Sequence, residues 1–197
     1  MAFIGLRHPV VAPFKAHTAG SEPTYDPGKV IGHAIAANLT INRPSNPLYG
    51  DDVEIENDNG ITGMSLELGV DDILEDDRPM LLGTVKKTEG SGQTATDTYY
   101  DGDAAAPYVG VGYYRVRRKH GVTSFQATWM FKTQFSENNE NSQTRGENIE
   151  WQTPTVTGRA AALKIDNTNQ NYFRKRRVFT SEADAIAWLD GIANVPS

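Results

Sequence analysis

No cysteine occurs in the chain, which excludes disulfides and thiolate metal sites and leaves the redox compartment unreadable. Long apolar runs are also missing: nothing approaches the ~20 residues that a membrane-spanning helix needs. The opening MAFIGLRHPVVAPF lacks the basic start, apolar stretch and small-residue cleavage site of a secretory signal, so the expectation is synthesis in a cytoplasm. No phosphate-cradling glycine loop, no G-x-G-x-x-G after a strand and no G-x-S-x-G elbow is present. The nearest glycine cluster, Gly90-Ser91-Gly92, sits in a polar stretch with no helix after it. His8, His17, His33 and His120 are scattered without i,i+4 pairing. Catalytic residues, metal ligands and a cofactor are therefore not expected, and the chain does not read as an enzyme.

What is present is enough for a core. The 197 residues are 38% hydrophobic and 22% charged, ordinary values for one large or two small folded domains. Net charge is −6, which argues against a general nucleic-acid binder. The charge is uneven. Acids gather at 51–58 (DDVEIEND) and 71–77 (DDILEDD), and bases at 115–119 (RVRRK) and 174–177 (RKRR). Such segregation suits contact between copies of the chain, although each cluster alone also reads as a solvated face.

Residues 122–135, VTSFQATWMFKTQF, carry the clearest pattern. Phe125, Ala127, Trp129, Phe131 and Phe135 share one parity; Gln126, Thr128, Lys132 and Gln134 share the other, with Met130 the one apolar exception. A long strand with an apolar and a polar face is expected. Val109–Lys119 reads as its hairpin partner across Lys119-His120-Gly121. Upstream, Gly5–Phe14 is punctuated by Pro9 and Pro13 and reads as an edge strand or extended arm, with 16–28 a loop. Lys29–Asn42 resumes β character, 43–52 is turn-rich and Val53–Glu56 alternates as a short strand. Asn59-Gly60 reads as a hairpin turn into the strand holding Met64, Leu66 and Leu68. Short helical turns follow over 71–82, with Pro79 starting the second and Gly83 stopping it.

Residues 88–106 read as a mobile loop or hairpin tip, and 136–148 as a polar loop. Strands are expected at Ile149–Thr153 and Thr155–Ile165, and a turn at 166–171. A C-terminal helix is expected from Glu182 to Asp190, opened by a Ser181/Asp184 box and ended at Gly191. The organisation is thus an arm and loop over 1–28 and a single mainly β domain over 29–197, with its helix at 181–191.

The acids around Asp51, Asp52, Glu54, Glu56 and Asp58 do not fit a calcium loop and read instead as a solvated or inter-subunit stripe. On a strand, Arg174 and Arg176 face one way and Lys175 and Arg177 the other. This pattern suits an edge or partner-facing strand better than a nucleic-acid track. The sequon Asn38-Leu39-Thr40 falls within a strand of a chain with no export signal and is discounted.

The order of motifs carries a resemblance. Leu48-Tyr49-Gly50-Asp51-Asp52 precedes Glu54-Ile55-Glu56, Asn59-Gly60, Leu66-Glu67-Leu68-Gly69-Val70-Asp71-Asp72 and Leu81-Leu82-Gly83. Val109-Gly110-Val111-Gly112-Tyr113-Tyr114-Arg115-Val116 then leads to Trp129, Lys132, Phe135-Ser136-Glu137, Gln143-Thr144-Arg145-Gly146-Glu147, Trp151-Gln152-Thr153-Pro154-Thr155 and Gly158. Over roughly residues 28–190 the chain resembles the major tail (tail tube) proteins of long, flexible-tailed bacteriophages of the siphovirus type. The resemblance implies a β-sandwich or half-barrel with a flanking short helix and a C-terminal helix. It also implies hexameric rings, joined edge to edge and stacked into the tail tube of a virion, which conducts double-stranded DNA without binding it specifically. Implied partners are further copies of itself, the tape measure protein, and the tail terminator and distal tail proteins. Tyr49, Asp51, Asp52, Glu54, Glu56, Arg174 and Arg176 become the candidates for contact between subunits or rings. Other readings are a terminator, the inner tube of a contractile device, or a monomeric carbohydrate-binding β-sandwich using Tyr99, Tyr100 and Tyr108.

Overall fold

The computed structural model describes residues 2–92, 95–101, 105–138 and 153–196. Most of the expected 136–148 loop and of the 149–153 strand lies outside those residues, as does the middle of 88–106. The first half of the chain supplies β1 (Ala2–Ala16), β2 (Thr24–Tyr25), β3 (Lys29–Val30), β4 (Ala34–Asn42), β5 (Asn46–Gly50), β6 (Val53–Asp58), β7 (Gly63–Val70) and α1 (Arg78–Leu82). The second half supplies β8 (Val85–Glu89), β9 (Thr96–Tyr100), β10 (Tyr108–Lys119), β11 (Val122–Glu137), β12 (Thr155–Ala160), β13 (Arg174–Phe179) and α2 (Glu182–Ala193). The chain is mainly β, built on one large antiparallel sheet in the order β2-β1-β10-β11-β12-β7-β4, with β3 added to β1 and β13 to β11.

The central hairpin is as expected. Lys119 opposes Val122 across His120 (φ 49°) and Gly121 (φ 81°), two successive left-handed residues that match the twist of a two-residue hairpin turn. The single apolar face expected for 122–135 is corrected: every residue from Ala127 to Phe131 is buried, so both faces of β11 are covered. A bulge explains the mixed parity. Val109 opposes Thr133 while Val111 opposes Met130, so β11 carries one extra residue there and its later side chains change sides. Phe135 thereby joins Met130 in one core, while Ala127, Trp129 and Phe131 stay in another.

The first core fills the curl of the sheet with Val11, Leu66, Leu68, Val111, Tyr113 and Met130. The curl follows from the 29–42 segment, which breaks at Ile31-Gly32-His33. β3 pairs with β1, while β4, beyond the break, pairs with β7 at the far end of the sheet. Gly32 takes φ 50°, and a Cβ there would lie 2.5 Å from Asp71 Oδ1. The Asp71 carboxylate fixes the break by accepting from the His33 amide (2.5 Å) and lying 2.7 Å from His33 Nδ1.

The second core lies on the opposite face of β1, β10 and β11, where α2 lays Ala185, Leu189 and Ala193 over Tyr114, Trp129 and Phe131. Buried side chains of this size each contribute roughly 1.5–3 kcal/mol. Trp129 Nε1 donates to Tyr25 Oη (3.0 Å), which donates in turn to the Phe131 carbonyl (2.7 Å), so the polar atoms of this aromatic pair are satisfied.

Four expectations change. Of the two readings of 5–14, edge strand or arm, β1 takes the first only before Pro9, where among the described residues its outer side is open; β10 lines its other side from Ala2 to Pro13, and β3 and β2 line part of the outer side further on. β6 does not pair with β7 across Asn59-Gly60; it pairs back with β5 across Asp51-Asp52 (φ 50° and 62°), because Asp also tolerates left-handed backbone and 46–50 was available as a partner strand. β12 ends at Ala160, and beyond it only a Leu163–Tyr172 bridge continues the ladder. α2 runs through Gly191 to Ala193 and closes on left-handed Asn194, while Ser181 makes no side-chain cap. Gly191 would have open space around a Cβ, so nothing at that position forces a stop.

Candidate self-assembly surfaces

Two β-hairpins stand off the main sheet. The first, β5–β6, interrupts the β4–β7 pair and holds the expected Tyr49, Asp51, Asp52, Glu54 and Glu56. Its apolar residues are not packed away: Leu48, Tyr49, Val53 and Ile55 are 59%, 62%, 64% and 67% exposed. Register separates its two faces, because directly opposed residues share a side. A bulge lies between the Leu48–Glu56 and Tyr49–Glu54 pairs, so the acids are divided: Glu54 falls on one face with Tyr49, Pro47 and Asn57, while Glu56 and Asp58 share the other with Leu48 and Asn46. Glu54 accepts a hydrogen bond from Asn57 (3.0 Å).

The second hairpin, β8–β9, takes up much of 88–106, read from the sequence as a mobile loop or a hairpin tip. Lys86 anchors it, with Nζ 2.8 Å from Asp76 and 2.9 Å from Asp97. These bonds push the Lys86 ammonium above its usual range, and Lys86 in turn, with Tyr99, holds Asp76 below the ordinary carboxylate range. The aromatic candidates for sugar binding are already engaged. Lys86, Lys87 and Lys132 sit over the rings of Tyr99, Tyr100 and Tyr108, and Tyr99 Oη donates to Asp76. As consecutive residues of one strand, Tyr99 and Tyr100 face opposite sides and offer no common platform.

The expected Arg174 and Arg176 lie on β13, which among the described residues pairs with β11 alone, its outer edge open. Arg174 opposes Met130 and Arg176 opposes Thr128, so both face the side of the sheet that carries the first core. Two arginines that the sequence reading did not single out join them. Tyr113 opposes Thr128, which places Tyr113, Arg115 and Arg117 on that same side of β10. The signal was present as the R-x-R alternation at 115 and 117, but only the pairing of β10 and β13 with the two edges of β11 shows that the two basic runs share a face. Phe3, opposite Arg117, lies under the Arg115 guanidinium at 4.0 Å. Burial, with Arg176 and Arg115 nearby, lowers the Arg174 pKa. Gln126 accepts from Arg115 (3.0 Å), and the Nε atoms of Arg115 and Arg117 are buried without partners.

The acidic hairpin and the arginine face do not meet within one subunit. No ion pair joins them among the described residues, and no hairpin carboxylate is among the groups acting on Arg174. No cluster of three or more potential metal ligands occurs among the described residues, and among them no helix is long and apolar enough to cross a membrane. Neither a protein-family model nor a curated protein matches the chain.

Proposed function

We propose that this protein is a structural subunit that polymerises into stacked rings and forms a tube, as the tail tube proteins of flexible-tailed phages do. The supporting observation is the β5–β6 hairpin, which carries four large apolar side chains into solvent at around the tip of an arm. Apolar residues concentrated on a projecting element mark a contact with another protein. The open rims of β13, of β4 and of β1 before Pro9 add unpaired amides and carbonyls suited to strand addition by a neighbour. Hairpin and rims are different surfaces, so association is head to tail, and such contacts close into rings or extend into filaments. The chain's net charge of −6 disfavours holding phosphates, which suits a conduit for double-stranded DNA.

Sedimentation of the purified chain over a range of concentrations, with negative-stain microscopy of the same samples, tests this reading. Rings or tubes that grow with concentration are expected. A monomer at every concentration overturns it.

A further inference from the structure

The foot of the β5–β6 hairpin holds the chain's one Asn-Gly pair, Asn59-Gly60. Asp58, the last residue of β6, opposes Asn46, and just before β7 the Thr62 amide donates to the Asn42 carbonyl (3.0 Å). Residues 59–61 cross between these two clamps outside any strand. Asn59 and Gly60 are both exposed, and no hydrogen bond holds the Asn59 side-chain amide among the described residues. One bond is made there: the Gly60 amide donates to Asp58 Oδ1 (3.0 Å). The space around Gly60 is otherwise open. Beyond its chain neighbours, the Asp58 carboxylate at 3.3 Å is all that a Cβ at Gly60 would meet.

An asparagine followed by glycine is suited to attack by its own main chain. The next amide nitrogen reaches the side-chain carbonyl carbon through a five-membered ring, and glycine puts no side chain in the way. That nitrogen must shed its proton as the bond forms, so a carboxylate already accepting the N–H is a general base in position. We propose that Asn59 is a self-modifying site, converted in the folded chain to aspartate and isoaspartate with Asp58 as the general base. The Gly60 nitrogen bonds to Asn59 Cγ and its proton passes to Asp58. The Cγ–Nδ2 bond then breaks, and Nδ2 leaves as ammonia with the proton that Asp58 returns. Water opens the cyclic imide at either carbonyl, giving aspartate or isoaspartate, and nothing is oxidised or reduced. Either product adds a negative charge, and isoaspartate adds one carbon to the main chain between the hairpin and β7. Other asparagines lack this combination: Asn46 precedes Pro47, which has no N–H, and Asn38 and Asn57 are held within β4 and β6. The reaction needs only the folded subunit and is independent of the self-assembly reading.

Peptide mass spectrometry of the native chain, stored at neutral pH and sampled over weeks, tests the proposal. The mass gain of an amide becoming an acid should accumulate at Asn59, localised by fragmentation, with chromatography resolving the two isomers. Asn59→Gln, whose longer side chain would need a six-membered ring, should show no gain at that position. Asp58→Ala keeps Asn59-Gly60 but removes the base; once circular dichroism shows that it folds, it should convert at least about tenfold more slowly than the native chain. In urea, where the turn is lost, the native and Asp58→Ala chains should convert at one rate. An unchanged Asn59 after storage overturns the proposal. Conversion of folded Asp58→Ala at the native rate also overturns it, as does an equal slowing in urea, because the held turn would then contribute nothing.

Discussion

Single positions show how tightly the sheet and helix are fitted. At Gly112 on β10 a Cβ would lie 2.5 Å from Trp129 Cε3 and 2.8 Å from Leu189 Cδ2, so α2 can approach only because that side chain is absent. Gly112→Ala is expected to destabilise the fold by about 1–3 kcal/mol through overpacking, read as a lower urea midpoint with an unchanged slope. The helix start is held by charge. Glu182 accepts from Tyr114 Oη and from Arg7 (2.8 Å), and these bonds depress its pKa, the Tyr114 bond most. A depressed carboxylate contributes stability above its unfolded value, about 4.3, and loses it as pH falls through the folded value. Glu182→Gln should therefore lower stability at neutral pH and flatten the acid limb of stability against pH. Tyr114, pushed up to about 12 by burial and by Glu182, works at the other extreme. Its contribution is complete below about pH 10 and disappears as pH rises through the folded value.

Elements divide into those that make the core and those that leave it. β10, β11 and α2 bury Trp129, Tyr114 and Leu189 between them, and β7 and β12 close the other core. The β5–β6 hairpin contributes no residue to either core. Replacing 46–58 with a short glycine-serine turn should leave thermal unfolding within a few degrees of the parent while abolishing concentration-dependent association. A large fall in melting temperature would instead make the hairpin part of the fold. His8 shows how an element is joined to the helix: at a bulge in β1 it takes φ 59°, and its Nε2 lies 2.7 Å from Asp190 of α2. With Arg7 on Glu182, the bulge secures both ends of the helix.

For the whole molecule, the charge segregation visible along the chain becomes a polarity in space, with carboxylates on a projecting arm and guanidiniums on a sheet face. Interaction between such surfaces responds to screening, whose length falls from about 10 Å at 0.1 M salt to about 3 Å at 1 M. Raising salt over that range should shift the sedimentation profile toward smaller species. Apolar contact by Val53 and Ile55 should keep association from vanishing. A profile independent of salt would remove charge pairing from the assembly.

Much of this was legible in the linear chain because it depends on local rules. The β10–β11 hairpin follows from alternation and from His120-Gly121, α1 from Pro79 and Gly83, and α2 from its apolar spacing, since each is decided by neighbours within a few residues. The exposed acids of 51–58 were legible for the same reason. Three things were not. Alternation alone could not show that both faces of β11 are buried, because a one-residue bulge changes sides without leaving a mark in composition. Nor could it choose Asp51-Asp52 over Asn59-Gly60 as the turn, since both pairs tolerate left-handed backbone and the partner strand decides. The arginine face needed long-range pairing: residues 115–117 and 174–176 are remote in sequence and become neighbours only where β10 and β13 take opposite edges of β11. Sequence determined the elements and the inventory of charge; tertiary pairing decided which side each charge faces, because strand register is set by contacts between distant segments.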